Sequence, residues 1–203
     1  GPALVAWHAV SGRHDLPSLM HEMQRLAQRT LALADDFVRI VQAAQRPLRL
    51  ERVDLRDLVA EVVADFRPQA DAAGVQLRAA PAAQALALTV DRALVLRALG
   101  NLLSNAIKNS PAGATVSLGL RAQAAGACII EVADQGPGLD EAAMRQLMQD
   151  RDGLVPGRGG VGFGLLFVQR VAMRHGGGLG VRRGDDGRGA VFELQLASVS
   201  GYP

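Results

Sequence analysis

The chain has 203 residues, of which 49% are hydrophobic, 21% charged and 3% aromatic, with a formal net charge of +2. This length allows one domain of about 100–150 residues plus an additional segment. Because the arginines are spread out and no run of about 20 apolar residues occurs, we expect a soluble fragment that contacts neither nucleic acid nor membrane.

The first predicted element is a long helix with a heptad pattern. Apolar side chains recur in steps of four and three residues from Leu19 to Ala44. This spacing is typical of helices that pack against partner helices. A second apolar line beside the first favours a bundle of several helices. The alternative is an amphipathic helix that packs on its own domain.

A second domain is predicted to begin at residue 48, where the pattern changes. Alternating apolar residues, aspartates at helix starts and glycines at turns mark its elements. In chain order they are a strand at Leu48–Val53, a helix at Leu55–Ala73, strands at Val75–Ala79 and Ala85–Val90, a helix at Asp91–Asn109, strands at Thr115–Arg121 and Ala127–Ala133, a helix at Gly164–His175, and strands at Leu179–Arg183 and Ala190–Leu196. This order predicts an α+β fold, a two-layer α/β sandwich whose mixed sheet is covered by helices on one face.

The helix at Asp91–Asn109 carries two asparagines on its polar face. At about 100° per residue, Asn101, Asn105 and Lys108 share the side opposite the apolar residues. Asparagine is a poor interior helix former, so this pair indicates a function. The amide oxygen of Asn105 suits Mg²⁺, and Lys108 can meet phosphate charge. A solvated polar face is the alternative for this helix alone.

Asp134 follows an apolar run and is predicted to lie at the end of a buried strand. A carboxylate in that place must be paired or hydrogen-bonded, and the exocyclic amine of adenine is a suitable partner. Gly136 and Gly138 allow the backbone to turn sharply and to approach a ring closely. A simple Asx turn is the alternative.

A glycine-rich segment, which includes Gly160, Gly162 and Gly164, precedes the helix that continues with Leu165. Backbone N–H groups at such a helix start are suited to phosphate. A flexible linker is the alternative, although the apolar helix that follows directly argues against it.

Together, the segments Asn101–Lys108, Asp134–Gly138 and Gly160–Leu165 resemble the N, G1 and G2 boxes of the sensor histidine kinase ATP-binding domain. That domain belongs to the superfamily that includes gyrase, the mismatch-repair ATPases and the heat-shock chaperone ATPase. The resemblance implies that ATP and Mg²⁺ bind through all three boxes. The implied catalytic residues are Asn101, Asn105 and Lys108, which would also bind the cofactor, with Asn105 at the metal. Asp134 would lie at adenine, with Gly136, Gly138, Gly160, Gly162, Gly164 and Leu165 around the nucleotide.

Asn101 stands where the ATPases of the superfamily place a glutamate that activates water. An amide cannot act as a general base, and histidine kinases show the same asparagine, which favours a kinase over a hydrolase. The resemblance implies phosphoryl transfer from ATP to a histidine on a dimerisation hairpin, and onward relay to the receiver domain of a response regulator. The alternatives are a serine kinase of the anti-sigma type and a non-catalytic, nucleotide-gated dimerisation module.

The resemblance also implies two domains. Residues 1–47 would be part of a dimerisation and histidine-phosphotransfer segment that binds a second copy, and residues 48–203 would be the ATP-binding catalytic domain. The start at Gly1-Pro2 is typical of a cleaved fusion protein. We therefore expect a cytoplasmic fragment of a longer, membrane-anchored sensor.

Three departures from the family pattern stand out. Met144–Asp150 occupies the place of the F box but has no phenylalanine, and Ala190 stands where Thr or Ser is common near the base. None of the four histidines has a convincing phosphoacceptor motif: His8, His14, His21 and His175. His175 ends a helix, where the helix dipole favours a histidine. We expect the acceptor histidine to lie upstream of this chain.

Overall fold

The computed structural model describes residues 19–28, 46–80, 85–139, 141, 144–145, 163–184 and 187–198. The chain divides into two compact units, residues 1–38 and 39–203. The predicted domain boundary between residues 47 and 48 stays a prediction. Within the described ranges, no helix has both the length and the apolar character needed to cross a membrane.

In the first unit, one helix (α1) spans residues 19–28. Its apolar side chains Leu19, Met20, Met23 and Leu26 are exposed. This part of the predicted heptad helix is therefore helical, and its apolar side chains are exposed. The heptad positions from residue 29 to Ala44 lie outside the described residues.

The described part of the second unit contains every element that the sequence predicted there. The elements are β1 (Glu51–Asp54), α2 (Leu55–Ala72), β2 (Gln76–Ala79), β3 (Ala87–Val90), α3 (Arg92–Asn109), β4 (Thr115–Ala122), β5 (Ala127–Ala133), α4 (Phe163–Arg174), β6 (Gly178–Arg183) and β7 (Ala190–Ala197). The largest shift is in β1, which was predicted from Leu48 and begins at Glu51.

The strands form two sheets. Five of them make the main sheet in the order β2-β4-β5-β7-β6. β2 runs parallel to β4, and the other neighbours are antiparallel, so this sheet is mixed, as predicted. β1 and β3 instead pair with each other in a separate antiparallel ribbon, in which Glu51 lies opposite Val90. The sequence predicted both strands but not this separate pairing.

One face of the main sheet packs against the helices. Alternate residues of the central strands are buried together with side chains of α2, α3 and α4 in one core. The apolar residues on the side of α3 opposite the asparagines are buried, as predicted for that side: Val95, Leu99, Leu102, Leu103 and Ala106. Cys128 of β5 is fully buried, and burial raises the pKa of its thiol to about 12, as expected for a core residue.

The other face of the main sheet carries several charged side chains, beside the buried Ile129 and Val191. Glu131 of β5 lies directly opposite Glu193 of β7, a like-charged pair that would be unfavourable alone. Arg121 donates to Glu131 at 3.0 Å, and Arg182 donates to Glu193 at 3.3 Å. These arginines offset the repulsion between the two glutamates. The face remains charged and is not covered by a further layer of helices, so the described fold has two layers.

Candidate functional site

α3 and α4 lie side by side and run in opposite directions. The backbone N–H of Asp91, just before α3, donates to Nε2 of His175, just after α4, at 2.9 Å. Farther along α3, Nδ2 of Asn101 donates to the carbonyl oxygen of Gly164 at 3.4 Å. The antiparallel arrangement therefore brings the start of α4 beside the asparagine face of α3.

The three polar residues predicted on α3 share one side of the helix. Asn101 and Asn105 are half-buried, and Lys108 is exposed. Within the described ranges, no group of three or more His, Cys, Asp or Glu side chains is placed to hold a metal ion.

Asp134 directly follows β5 and is only 7% exposed. Its Oδ1 accepts from the backbone N–H of Gly136 at 2.9 Å and from that of Ala190 at 3.2 Å. The first bond closes an Asx turn, so the alternative interpretation given for this segment describes its local geometry correctly. Among the described residues no hydrogen bond ends on Oδ2, which can therefore accept a bond from a ligand.

The surroundings of Asp134 favour its neutral form. Burial raises the pKa of this carboxyl, and the bonds from the N–H groups of Gly136 and Ala190 only partly oppose that effect. A buried carboxylate with one oxygen that accepts no bond from the described residues is stabilised by a further hydrogen-bond donor, which a ligand can supply. Asp134 is thus a strong candidate for ligand recognition.

Two glycines shape the turn after Asp134. A Cβ at Gly136 would lie 2.5 Å from the carbonyl oxygen of Asn109, at the end of α3. Gly138 has a φ of +75°, and a Cβ there would lie 2.8 Å from the carbonyl oxygen of Gly189. Glycine is needed at both positions because neighbouring backbone leaves no space for a side chain. The predicted approach of this turn to a ring stays a prediction.

Gly189 is a residue of this site that the sequence did not predict. Its N–H donates to the carbonyl oxygen of Gly136 at 3.0 Å. A Cβ on Gly189, at a φ of +67°, would overlap the carbonyl group of Asp134. The only signal in the sequence is the position of this glycine, directly before β7. In the structure, the first residue of β7, Ala190, donates to Asp134.

We expect Gly189→Ala to destabilise the protein more than Gly187→Ala. Both glycines have a positive φ, +67° and +76°, so each alanine carries a conformational cost of about 1–2 kcal/mol. Only at Gly189 would the new Cβ also meet backbone, since nothing lies within 4 Å of a Cβ at Gly187. Urea unfolding should show an additional loss of about 1–3 kcal/mol for Gly189→Ala. Equal losses would contradict this account of the turn.

The glycine-rich segment is described only from its end. Gly164 is half-buried, and a Cβ there would lie 3.7 Å from Cγ of Asn101, an ordinary contact. The side chain of Leu165 is 6% exposed and packs in the core, so only its backbone is available to a ligand. Gly160 and Gly162 lie outside the described residues.

Of the segment at the F-box position, residues 144–150, the structure describes residues 144 and 145. Met144 is half-buried against the core, and residues 146–150 lie outside the described residues. Ala190 is buried at the start of β7, where its N–H bonds to Asp134.

His175 is not a charged group at a helix end, so that interpretation is wrong. The side chain is fully buried, and its Nε2 accepts a bond from the N–H of Asp91. The ring proton must therefore be on Nδ1, which donates to the carbonyl oxygen of Val171 at 2.7 Å. Burial lowers the pKa of His175, which keeps the ring neutral at neutral pH.

Comparison with known proteins agrees with this arrangement. Residues 90–199 match the family model described as "Histidine kinase-, DNA gyrase B-, and HSP90-like ATPase". The swarming motility regulation sensor protein RssA of Serratia marcescens is 28% identical, over 92% of this chain and 40% of RssA. The sensor-like histidine kinase SenX3 of Mycobacterium bovis is 29% identical, over 92% of this chain and 52% of SenX3. The chain thus spans 40% and 52% of these two relatives.

Among solved structures, full-length ShkA in complex with AMPPNP superposes with a TM-score of 0.72 at 26% identity. The match covers 91% of this chain and 40% of ShkA. The family match extends from β3 to beyond β7 and includes the asparagine face of α3, the Asp134 turn and the start of α4. The chain therefore belongs to the histidine kinase-, DNA gyrase B- and HSP90-like ATPase family, as an ATP-binding domain of the sensor histidine kinase type.

Proposed function

We propose that this chain is the catalytic part of a sensor histidine kinase, which transfers the γ-phosphoryl group of ATP to a histidine on its dimerisation hairpin. The observation that carries the proposal is the Asp134 carboxylate, buried with Oδ2 free of protein bonds among the described residues. Its turn lies against the end of α3, through Gly136 and the Asn109 carbonyl. A ligand donor at Asp134 would thus be bound close to the asparagine face.

Asp134 would recognise the adenine ring. Its Oδ2 can accept a bond from the exocyclic amine, while Oδ1 is already occupied by two backbone N–H groups. Gly136 and Gly138 keep side chains out of the turn, so the ring can approach the backbone. The proposed ribose and phosphate path then runs from this turn along α3 toward the start of α4.

The phosphates would lie along the polar face of α3. Asn101 and Lys108 would contact them, and the backbone of the segment with Gly160, Gly162, Gly164 and Leu165 would donate N–H groups. The half-buried amide of Asn105 fits a magnesium ligand, because Mg²⁺ prefers oxygen and accepts few protein ligands. When bound, Mg²⁺ neutralises phosphate charge during transfer.

In this proposal, the residue type at Asn101 determines whether the γ-phosphoryl group is transferred to a histidine or to water. Its amide has no proton-accepting strength and already donates to Gly164, so it cannot activate water as a general base. The nucleophile would be a neutral imidazole nitrogen of the acceptor histidine. A nitrogen–phosphorus bond forms as the bond from the γ-phosphorus to the bridging oxygen breaks, and ADP leaves.

The proposed partners follow from this role. A second copy would bind through the helical segment that contains α1, whose apolar side chains are exposed. A receiver domain of a response regulator would accept the phosphoryl group from the histidine. We also propose that the chain is the cytoplasmic part of a membrane-anchored sensor. The relatives do not favour a serine kinase of the anti-sigma type or a non-catalytic dimerisation module.

The test is to place a hairpin helix that carries a histidine upstream of residue 1 and to supply ATP labelled in its γ-phosphate. We expect acid-labile, alkali-stable label on the histidine, and none on the chain without the added helix. Acid-stable label on a serine substrate would favour the serine kinase. Nucleotide binding with no label on any residue would favour the non-catalytic module.

A further inference from the structure

The end of α4 that lies far from Gly164 is fixed by a group of polar residues, two of which are buried. We name this group, which consists of Arg46, Asp91 and His175, the polar junction. Asp91 is 1% exposed and His175 is fully buried. Asp91 and His175 therefore lie about as deep as the apolar core, whereas the side chain of Arg46 is 33% exposed and reaches the surface.

Asp91 is held firmly in the junction. Its carboxylate accepts from the N–H of Leu94 at 3.1 Å, the N–H of Arg49 at 2.8 Å and the guanidinium of Arg46 at 3.0 Å. Burial alone would raise the pKa of Asp91, but these bonds outweigh that effect and the pKa is lowered. The charge remains, and moving it away from its donors would leave a buried anion without partners, which is costly.

His175 ties the end of α4 to this fixed residue. Its Nε2 accepts from the N–H of Asp91, its Nδ1 donates to Val171, and its carbonyl oxygen accepts from Ala197 of β7 at 2.8 Å. The neighbouring Arg174 donates to the carbonyl oxygen of Arg46 at 2.7 Å. The imidazole is thus orientated on both nitrogens and cannot change its direction without losing a bond.

The opposite end of α4 has no comparable polar anchor among the described contacts, and its Leu165 and Leu166 are held by apolar packing in the core. There the bond from Asn101 to Gly164 is 3.4 Å long, at the weak end of the range for hydrogen bonds. Between the two ends, the guanidinium of Arg97 lies 5.3 Å from the centre of the Phe167 ring, a contact of modest strength. A helix moves axially as one body, so the anchored end sets where Gly164 lies relative to Asn101.

We propose that His175 is a positioning residue for nucleotide binding. By accepting the Asp91 N–H, it sets the axial position of α4 against α3 and thereby holds the phosphate-facing start of α4 at Asn101. This inference rests on the proposed function, because it assigns a task to His175 only if the nucleotide lies between these helices.

Two substitutions of His175 test the roles of its two ring nitrogens separately. In His175→Gln, the side-chain amide can place an oxygen where Nε2 lies and keep the bond from Asp91. In His175→Asn, the shorter amide can reach only the Nδ1 position and keeps the bond to Val171 instead. We expect about tenfold weaker binding of a non-hydrolysable ATP analogue for His175→Asn, the effect of one buried hydrogen bond, and parent-like binding within about threefold for His175→Gln.

Affinity is measured by titration calorimetry at a temperature where circular dichroism shows every variant fully folded. The NMR signal of the Asn101 side-chain amide, assigned with Asn101→Asp, should shift in His175→Asn and stay in place in His175→Gln. Equal affinity of the parent and His175→Asn would overturn this proposal alone, even if the variant melts earlier. Equal weakening in both variants would overturn it too. No binding by the parent would overturn the proposed function as well.

Discussion

Asp134→Asn is expected to lower the affinity for ATP by about 10–100-fold, which corresponds to about 1.5–3 kcal/mol for a hydrogen bond to a charged group. The amide oxygen can keep the bonds that Oδ1 accepts from Gly136 and Ala190. The amide nitrogen then takes the place of Oδ2 and presents a donor to the exocyclic amine of adenine, which is also a donor. The substitution therefore changes the recognition of the base with almost no change in shape.

The same substitution should not destabilise the domain. Because burial raises the pKa of Asp134 above its ordinary value of 3.8, the folded protein binds more protons than the unfolded chain between 3.8 and that raised pKa. The stability that this carboxyl contributes is fully present below pH 3.8 and is lost as the pH rises through the raised pKa. At neutral pH, the charged form of Asp134 lowers the free energy of unfolding. The Asp134→Asn protein should therefore melt at or above the melting temperature of the parent.

Calorimetric titration at neutral pH measures the affinity for ATP. Thermal unfolding over a pH series measures how protonation of Asp134 changes the stability of the domain. As the pH rises through the window, the parent should lose stability relative to Asp134→Asn. Only this difference reports on Asp134, because His175 and Asp91 titrate in both proteins. Unchanged affinity in a folded Asp134→Asn protein would disprove the assignment of Asp134 to adenine. Weaker binding with a large loss of stability would instead indicate a structural carboxylate.

Asn105→Ala is expected to slow phosphoryl transfer to a supplied histidine hairpin by about 100-fold, since catalysis by this chain would consist of positioning and charge neutralisation. The amide is half-buried on the polar face of α3, so its removal should leave the core intact. The parent should bind ATP more tightly with Mg²⁺ than with EDTA, and this difference should disappear in Asn105→Ala.

Asn109→Ala is the matched control, because it removes the same amide from the exposed last residue of α3. The part of Asn109 that lies nearest to a Cβ at Gly136 is its backbone carbonyl, and the substitution keeps that group. Its transfer rate and magnesium dependence should equal those of the parent. A magnesium dependence that survives in Asn105→Ala would remove Asn105 from the metal site and move the assignment to another residue.

Much of the fold could be predicted because the signals are local. The apolar period of α3, the aspartates that start α2 and α3, and the alternation in β4, β5 and β7 depend on residues within one or two turns of each other. The buried position of Asp134 followed from the apolar run before it. The ATP-binding family was also predictable, since three short segments carry the resemblance and the family match confirms it.

The pairing of β1 with β3, the need for glycine at Gly189 and the neutral state of His175 were decided by the tertiary structure. Gly189 is constrained by the carbonyl group of Asp134, and His175 receives its hydrogen bond from Asp91, 84 residues earlier. A helix end favours a positive histidine, but at His175 the cost of burying the charge outweighs that effect and lowers the pKa. Steric space and the position of a proton depend on groups that only folding brings together, so no local pattern in the sequence contains them.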